Sequence, residues 1–132
     1  MITVTKKFGF EASHRLPWYV GDCHNLHGHS YKLEVTVTGE IITIKSSSEV
    51  TPQVGMIIDF KVLKSIVEES VIKKYDHSYL NRFFDNPTAE IMVEKFAQDI
   101  SANLPTGVKL VAVKLWETDT SYAEWRDLVV VL

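Results

Sequence analysis

The sequence predicts an α+β fold in which an antiparallel four-stranded sheet carries two helices on one face. Two stretches near the start alternate apolar and polar residues, a pattern that indicates a pair of half-buried strands. Two central stretches space their apolar residues three and four apart, as helices do. Two valine-rich stretches close the chain. The order strand, strand, helix, helix, strand, strand therefore predicts two hairpins joined through a helical layer.

The first two strands each have one apolar side. Pro17 and Gly21 mark the loop between them, and an exposed loop is predicted over 46–55. On the first strand the apolar side carries Ile2, Val4, Phe8, Phe10, Ala12 and His14. On the second it carries His27, His29, Tyr31, Leu33, Val35 and Val37.

Capping and turn residues delimit the remaining elements. Asp59 is a candidate cap for a helix over about 60–75. Asn86 and Pro87 look like the cap and first-turn proline of a second helix, which Pro105 ends. Strands are predicted over 108–118 and about 122–132, with the turn at 119–120. A four-stranded sheet leaves two open edges, so a homo-oligomer is expected.

Composition limits the classes of function. The 132 residues fit a single domain spanning 1–132. The formal net charge of −3 provides no basic field for nucleic acid or an anionic membrane. No apolar run reaches the roughly 18 residues that span a bilayer, and the first residues do not resemble a signal peptide. With one cysteine and no possible internal disulfide, the expected location is the cytoplasm.

Three of the five histidines form a candidate metal site. His27 and His29 lie two apart on one strand, so their imidazoles point the same way. His14 ends the apolar side of the preceding strand. Three neutral imidazoles suit Zn²⁺ and leave a fourth position for water or substrate, which is the catalytic pattern. Histidines that merely occupy the core or the surface are the competing interpretation.

Four other residues are candidates for proton transfer or substrate binding. Cys23 is a small buried thiol in one interpretation and a thiolate base in the other, while His24 beside it is more simply a solvated side chain. Asp76 and His77 form either a surface turn or a carboxylate that orients a proton-shuttling histidine. Glu117 shares the side of apolar strand residues, so its carboxylate needs either a partner or an opening to water.

Taken together, these motifs resemble the family of 6-pyruvoyltetrahydropterin and 6-carboxytetrahydropterin synthases. Each segment alone is a weak signal, but their order and spacing along most of the chain are specific. The matching segments are FEASHRL at 10–16, CHNLHGHSY at 23–31, IDF at 58–60, DHSYLN at 76–81, PTAE at 87–90 and ET at 117–118.

The resemblance implies a fold, an assembly and a role for each candidate. It implies the tunnelling fold, whose subunits join into oligomeric barrels, here a hexamer of two stacked trimers with sites between subunits. It implies zinc on the three histidines, a proton acceptor at Cys23 and a proton relay at Asp76 and His77. Glu117 would grip the amino-pyrimidine edge of a pterin, and Thr88 would add a pterin contact.

The spacing before the histidine pair favours one branch of the family. Three residues separate Cys23 from His27, as in the carboxy-forming branch, whereas the pyruvoyl-forming branch typically has four. The resemblance then implies a zinc-dependent lyase of queuosine biosynthesis. Its substrate would be 7,8-dihydroneopterin triphosphate and its products 6-carboxytetrahydropterin, acetaldehyde and triphosphate. A pyruvoyl synthase and a non-catalytic zinc or pterin-binding module are the alternatives.

Overall fold

The computed structural model describes residues 1–44 and 52–131. Most of the loop predicted over 46–55 therefore lies outside the described residues, as does Leu132 at the end of the predicted last strand. The fold is α+β, as predicted, with helices against one face of a mainly antiparallel sheet.

The sheet has five strands in the order β3-β1-β2-β4-β5. Four of them were predicted, and all neighbours among these four are antiparallel. The fifth, β3, pairs parallel to β1. The predicted count of four was wrong by this strand, because two residues are too few to show an alternating pattern. The strands are β1 (Thr3–His14), β2 (His27–Gly39), β3 (Ser78–Tyr79), β4 (Val108–Thr118) and β5 (Ser121–Arg126).

The register of the first hairpin places the candidate metal ligands side by side. His14 lies opposite His27, and Ala12 lies opposite His29. The predicted alternation is confirmed on both strands, since the apolar side is buried at Phe10, Ala12 and His14 of β1 and from Tyr31 to Val37 of β2. Ile2, predicted on the same side, precedes β1 and is exposed. On the other side of β2 the register to β4 shifts between Thr36 and Val37.

The first helical region begins where the sequence predicts. Asp59 accepts a hydrogen bond from the Lys61 N–H at 2.8 Å and caps α1 (Phe60–Val67). The helix continues through a π-helical turn over Glu68–Ile72 and ends in α2 (Lys73–Tyr75). A single insertion of this kind leaves the chain helical while rotating the residues that follow.

The second predicted helix is α3 (Ala89–Asn103), but its cap is not Asn86. Thr88 is the cap, and its hydroxyl oxygen accepts a hydrogen bond from the Ile91 N–H at 3.2 Å. Pro87 therefore precedes the cap instead of opening the first turn. A threonine side chain one residue after proline satisfies a free N–H of the first turn, which the asparagine is too early to reach.

The core lies between the helices and the inner face of the sheet. Phe10 stacks on Tyr31 with ring centroids 4.9 Å apart, and Phe96 of α3 meets Phe10 edge-on at 6.1 Å. Leu33 of β2 and Leu115 of β4 are fully buried beside them. This packing fixes β1 and β2 against α3, and so fixes the histidine-bearing ends of both strands.

The chain leaves the sheet earlier than predicted. β5 ends at Arg126, and Leu128–Val131 of the predicted strand over 122–132 form a short helix, α4. Asp127 caps this helix, since its carboxylate accepts the N–H groups of Val129 at 3.0 Å and Val130 at 3.4 Å. An aspartate cap of this kind competes with strand pairing. In the described residues, no helix has the length and apolar character needed to cross a membrane.

Candidate functional site

Three histidines converge at the open end of the first hairpin. Side chains of facing strand residues lie close together, so the pairing of His14 with His27 brings two rings to 4.6 Å between centroids. His29 lies two residues along β2, with its ring 5.1 Å from that of His14 and 4.8 Å from that of His27. One ring nitrogen from each lies within 4.8 Å of the others. The predicted three-histidine cluster therefore exists in the folded chain.

Backbone carbonyls fix the orientation of two of these rings. The Nδ1 atom of His14 lies 2.8 Å from the carbonyl oxygen of Pro87, and that of His27 lies 2.7 Å from the carbonyl oxygen of Asn25. A carbonyl oxygen only accepts, so each Nδ1 must carry the hydrogen. In a neutral imidazole the Nε2 atom then presents a lone pair, the arrangement found in histidines that bind a metal.

The arrangement of the ring nitrogens fits a cation. The Nε2 atoms of His14 and His27 are 3.0 Å apart, and with both Nδ1 atoms protonated neither can donate to the other. The Nε2 atom of His29 is buried and has no hydrogen-bond partner among the described residues. A buried nitrogen without a partner is costly. A Zn²⁺ ion would satisfy all three nitrogens at once.

Burial keeps these rings in the form that binds metal. It lowers the pKa of His14, and the neighbouring His27 adds to the effect, while the hydrogen bond to Pro87 acts in the other direction. Burial also lowers the pKa of His29, against the pull of the Glu117 carboxylate. Both imidazoles are therefore neutral at pH 7, with lone pairs free for coordination.

Two supporting residues were not predicted to act at the site. Tyr31 lies below the histidines, with its hydroxyl 3.3 Å from the Nδ1 atom of His14. Burial, and then the charge of Glu117, raise the pKa of Tyr31, so the phenol stays protonated. Its position two residues after His29 was a signal for this contact, since both share one strand face. The carbonyl of Pro87 gave no such signal, because a backbone contact leaves no trace in residue type.

Glu117 joins the histidine cluster from the end of β4. Its Oε1 atom lies 3.5 Å from the Nε2 atom of His29. The predicted orientation is confirmed by this contact, since His29 shares its side of β2 with the buried Tyr31 and Leu33. The Glu117 side chain is itself 27% exposed. The carboxylate thus lies where the apolar face of the sheet opens to solvent, beside the candidate metal site, and can accept N–H groups from a ligand.

Cys23 lies in the loop that joins the two histidine-bearing strands. It occupies the middle of a single 3-10 turn, Asp22–His24, and is partly buried. Its carbonyl oxygen accepts the Leu16 N–H at 3.0 Å, which ties the loop back to the end of β1. Its neighbour His24 is exposed. The cluster of ligand atoms comprises the three histidines without the thiol.

Asp76 and His77 form a hydrogen-bonded pair at the edge of the sheet. One carboxylate oxygen of Asp76 accepts the Glu11 N–H at 2.9 Å and lies 3.1 Å from the Nδ1 atom of His77. The Glu11 hydrogen bond lowers the pKa of Asp76, and His77 adds to the effect. His77 has a φ of 58°, in the left-handed region, and donates its N–H to the Glu11 carbonyl at 2.6 Å. The pair is therefore anchored to β1, with the imidazole 79% exposed.

His77 lines an open groove on the side of the sheet away from the core. Glu11, Ser13 and Ser30, which point outward from β1 and β2, form part of the same groove of about 770 Å³. His14, in contrast, is fully buried on the side that faces the helices. His29 also lines this groove. The Asp76–His77 pair directly precedes β3, which lies across β1 from β2, the strand that carries His27 and His29. Thr88 directly follows Pro87, whose carbonyl oxygen contacts His14. The Thr88 hydroxyl oxygen caps α3.

Comparison with known proteins points to one family. The model of the family described as 6-pyruvoyl tetrahydropterin synthase matches residues 3–127. The chain is 29% identical to a 6-carboxy-5,6,7,8-tetrahydropterin synthase of Haemophilus influenzae, over 96% of this chain and 100% of that protein. It is 37% identical to one from Synechocystis sp., over 95% and 93% of the two chains. It is also 38% identical to a dihydroneopterin monophosphate aldolase of Pyrococcus furiosus, over 82% of each.

A solved structure has the same fold. The 6-pyruvoyl tetrahydropterin synthase of Caenorhabditis elegans superimposes with a TM-score of 0.77, covering 96% of this chain and 95% of that chain, at 24% sequence identity. At that identity the similarity concerns the fold alone.

Proposed function

Because the chain belongs to the 6-pyruvoyl tetrahydropterin synthase family, a family of pterin-forming enzymes, we propose that it is a zinc-dependent 6-carboxytetrahydropterin synthase. The substrate is 7,8-dihydroneopterin triphosphate, and the products are 6-carboxytetrahydropterin, acetaldehyde and triphosphate. The observation that carries this proposal is the cluster of His14, His27 and His29, which brings one ring nitrogen from each histidine within 4.8 Å of the others.

The three histidines would hold the zinc ion and leave a fourth position open to the substrate. Bound zinc supplies Lewis acidity, which makes the C–H groups beside a coordinated hydroxyl more acidic. The carbonyls of Pro87 and Asn25 keep the His14 and His27 rings in the coordinating orientation. These contacts are made before any ligand arrives, so the chain carries a preorganised site.

The side chains around the cluster divide binding and proton transfer between them. Cys23, as the thiolate, accepts a proton from the substrate side chain. Glu117 accepts the N–H groups of the amino-pyrimidine edge, and its position 3.5 Å from His29 sets the pterin beside the metal ligands. Thr88 adds a pterin contact through its hydroxyl hydrogen, since the Ile91 N–H occupies a lone pair of the oxygen and leaves the hydrogen free.

Asp76 and His77 complete the site from a neighbouring subunit. The carboxylate holds the imidazole through Nδ1, so Nε2 is the atom that exchanges protons with the substrate. The pair precedes β3, an edge strand separated from the histidine-bearing β2 by β1, so it is placed to act on the cluster of another copy that joins at this edge. The open edges of the sheet, at β3 and β5, provide the means of assembly into barrels and a hexamer of stacked trimers.

Two observations favour the carboxy-forming reaction over its alternatives. Three residues separate Cys23 from His27, and relatives matched over almost their whole length are named 6-carboxytetrahydropterin synthases. The pyruvoyl-forming reaction is the second candidate. The similarity to the Pyrococcus furiosus protein makes cleavage of dihydroneopterin monophosphate a third. A binding module without activity would have no use for a thiol, a relay pair and a pterin carboxylate together.

Product analysis distinguishes these reactions. The zinc-loaded protein is incubated with 7,8-dihydroneopterin triphosphate or with the monophosphate, with acetaldehyde trapped in the same tube, and the pterins are identified by mass. We expect 6-carboxytetrahydropterin and acetaldehyde from the triphosphate. Pyruvoyltetrahydropterin without acetaldehyde would move the chain to the sister reaction, and turnover of the monophosphate alone would favour an aldolase. Pterin binding without turnover of either compound would contradict enzymatic function.

A further inference from the structure

Two cations line the groove beside His77 without an ion-pair partner among the described residues. Lys74 and Arg82 both line the groove and both are exposed. Within the described part of the chain, neither forms an ion pair, whereas Lys73, next to Lys74, pairs with Glu69 on the same helical face. Cations left unpaired in a concave surface create a positive potential that attracts anions.

The structure holds these cations in place at the groove wall. The Nζ atom of Lys74 lies 5.4 Å from the ring centroids of both Tyr75 and Phe83, a cation–π arrangement that limits its freedom. Arg82 ends the 3-10 turn that begins at Leu80, whose side chain is fully buried. Both cationic residues therefore belong to well-packed backbone segments, and their side chains line the same groove as the His77 imidazole.

One acidic residue shares the groove. The Glu11 carboxylate accepts a hydrogen bond from the Ser30 hydroxyl at 2.7 Å. Its negative charge opposes anion binding. Removal of the Glu11 charge should therefore strengthen anion binding, whereas removal of the Lys74 or Arg82 charge should weaken it. Asp76 is engaged by the Glu11 N–H and by His77.

We propose that this groove binds the triphosphate of the substrate through Lys74 and Arg82, and so selects a triphosphate over a monophosphate ester. The inference rests on the proposed function. The phosphates are attached to the third carbon of the same side chain whose first two carbons react, so they must lie close to any group that exchanges protons with that side chain. In the proposed function His77 is such a group, and Lys74 and Arg82 line the same groove as His77. Guanidinium and ammonium groups bind phosphate oxygens through charge-assisted hydrogen bonds.

Inorganic triphosphate is the direct probe of this site, because its binding does not depend on turnover. Calorimetric titration of the zinc-loaded oligomer should give a dissociation constant that rises about tenfold in Lys74→Gln and again in Arg82→Gln. Glu11→Gln should tighten binding. Lys64→Gln and Arg126→Gln are matched controls, since both side chains are exposed, are ion-paired with Glu68 and Glu124, and lie outside the groove.

Steady-state kinetics test whether the anion in the groove is the triphosphate of the substrate. In the double variant Lys74→Gln, Arg82→Gln, the KM for dihydroneopterin triphosphate should rise about a hundredfold, whereas affinity for unphosphorylated dihydroneopterin stays within about twofold. Because both residues are exposed, neither change threatens folding. Equal triphosphate binding by the wild type and the double variant, or no binding by the wild type, would overturn the proposal.

Failure of this proposal and failure of the proposed function give different results. A protein that binds triphosphate through Lys74 and Arg82 but converts no pterin would retain the anion site and lose the assigned reaction. A protein that forms 6-carboxytetrahydropterin with the same KM in the wild type and in both single variants would retain the reaction and lose the anion site.

Discussion

His29→Ala is the change that separates metal binding from structural support most cleanly. His14 is fully buried and hydrogen-bonded to Pro87, so its removal would leave a cavity and an unpaired carbonyl. His29 is the candidate ligand whose Nε2 atom has no hydrogen-bond partner among the described residues. Without metal, the free energy of unfolding of the variant should therefore lie within about 1 kcal/mol of the wild-type value.

The expected effect on zinc-dependent stability follows from binding linkage. At a free zinc concentration of about 1,000 times Kd, the wild type gains about 4 kcal/mol. Loss of one ligand should weaken binding at least as much as loss of a supporting contact, by about 100-fold or more, which is about 2.7 kcal/mol. At the same zinc concentration the variant should therefore gain at most about 1.4 kcal/mol. For a chain of this size, these gains correspond to roughly 12–20 °C and less than about 7 °C in Tm.

Thermal unfolding of chelator-treated protein, followed by circular dichroism across a zinc titration, measures both gains. His24→Ala is the control, since His24 is an exposed imidazole in the adjoining loop and outside the ligand cluster. It should respond to zinc as the wild type does. If His29→Ala keeps the full zinc-dependent rise in Tm, His29 is not a ligand and the reasoning from its unpaired nitrogen is wrong.

Three further predictions concern the other site residues. Cys23→Ala should retain zinc, measured by elemental analysis, and lose turnover by about 10²–10⁴, the usual contribution of a positioned acid–base group; near-normal turnover would remove the base assignment. Glu117→Gln should weaken pterin affinity about tenfold or more, measured by fluorescence titration, because a neutral amide accepts the N–H groups less strongly than a carboxylate; unchanged affinity would argue against the pterin contact. Asp76 has a pKa held below its ordinary 3.8 in the folded chain, so its stabilising effect is complete above that value and is lost as pH falls through the lower, folded pKa. Urea unfolding of the wild type and Asp76→Asn should therefore show a difference in stability that shrinks as the pH falls below about 4; the same difference above and below that pH would contradict the shift.

The sequence predicted the parts of the fold that rest on repeated local patterns. Alternation over β1 and β2 predicted which side of each strand is buried, and it placed His14, His27 and His29 on those buried sides. Strand pairing then required only that the two runs form a hairpin. The capping role of Asp59 followed from the same kind of local rule.

Elements that depend on single contacts could not be predicted from such repeated patterns. β3 is two residues long and is defined by its pairing with β1. A segment this short has no alternating pattern from which a strand could be predicted. The valine-rich end of the chain has strand propensity, yet the Asp127 carboxylate turns it into a helix. Propensity is a weak preference that one capping interaction can override.

The candidate site was predicted only in part, because some of its contacts depend on tertiary packing. Residue types and strand parity predicted the metal cluster and the orientation of Glu117. They did not predict that Asp76 and His77 would lie next to β3, across β1 from β2. The position of this loop depends on how the preceding helix packs, which residue types alone do not determine. Nor did they predict the Pro87 carbonyl, which any residue could have supplied.

In the proposed function, one active site takes its metal ligands from one subunit and its proton relay from another. It is tested by refolding His27→Ala and His77→Ala proteins separately and as an equal mixture, with mixed oligomers verified by native mass spectrometry. Each protein alone should be inactive, because every site lacks either a ligand or the relay. In random mixed oligomers, half the subunits supply an intact cluster and half the neighbours an intact His77, so activity should return to about one quarter of the wild-type value. Mixed oligomers that form and remain inactive would contradict a site shared between subunits.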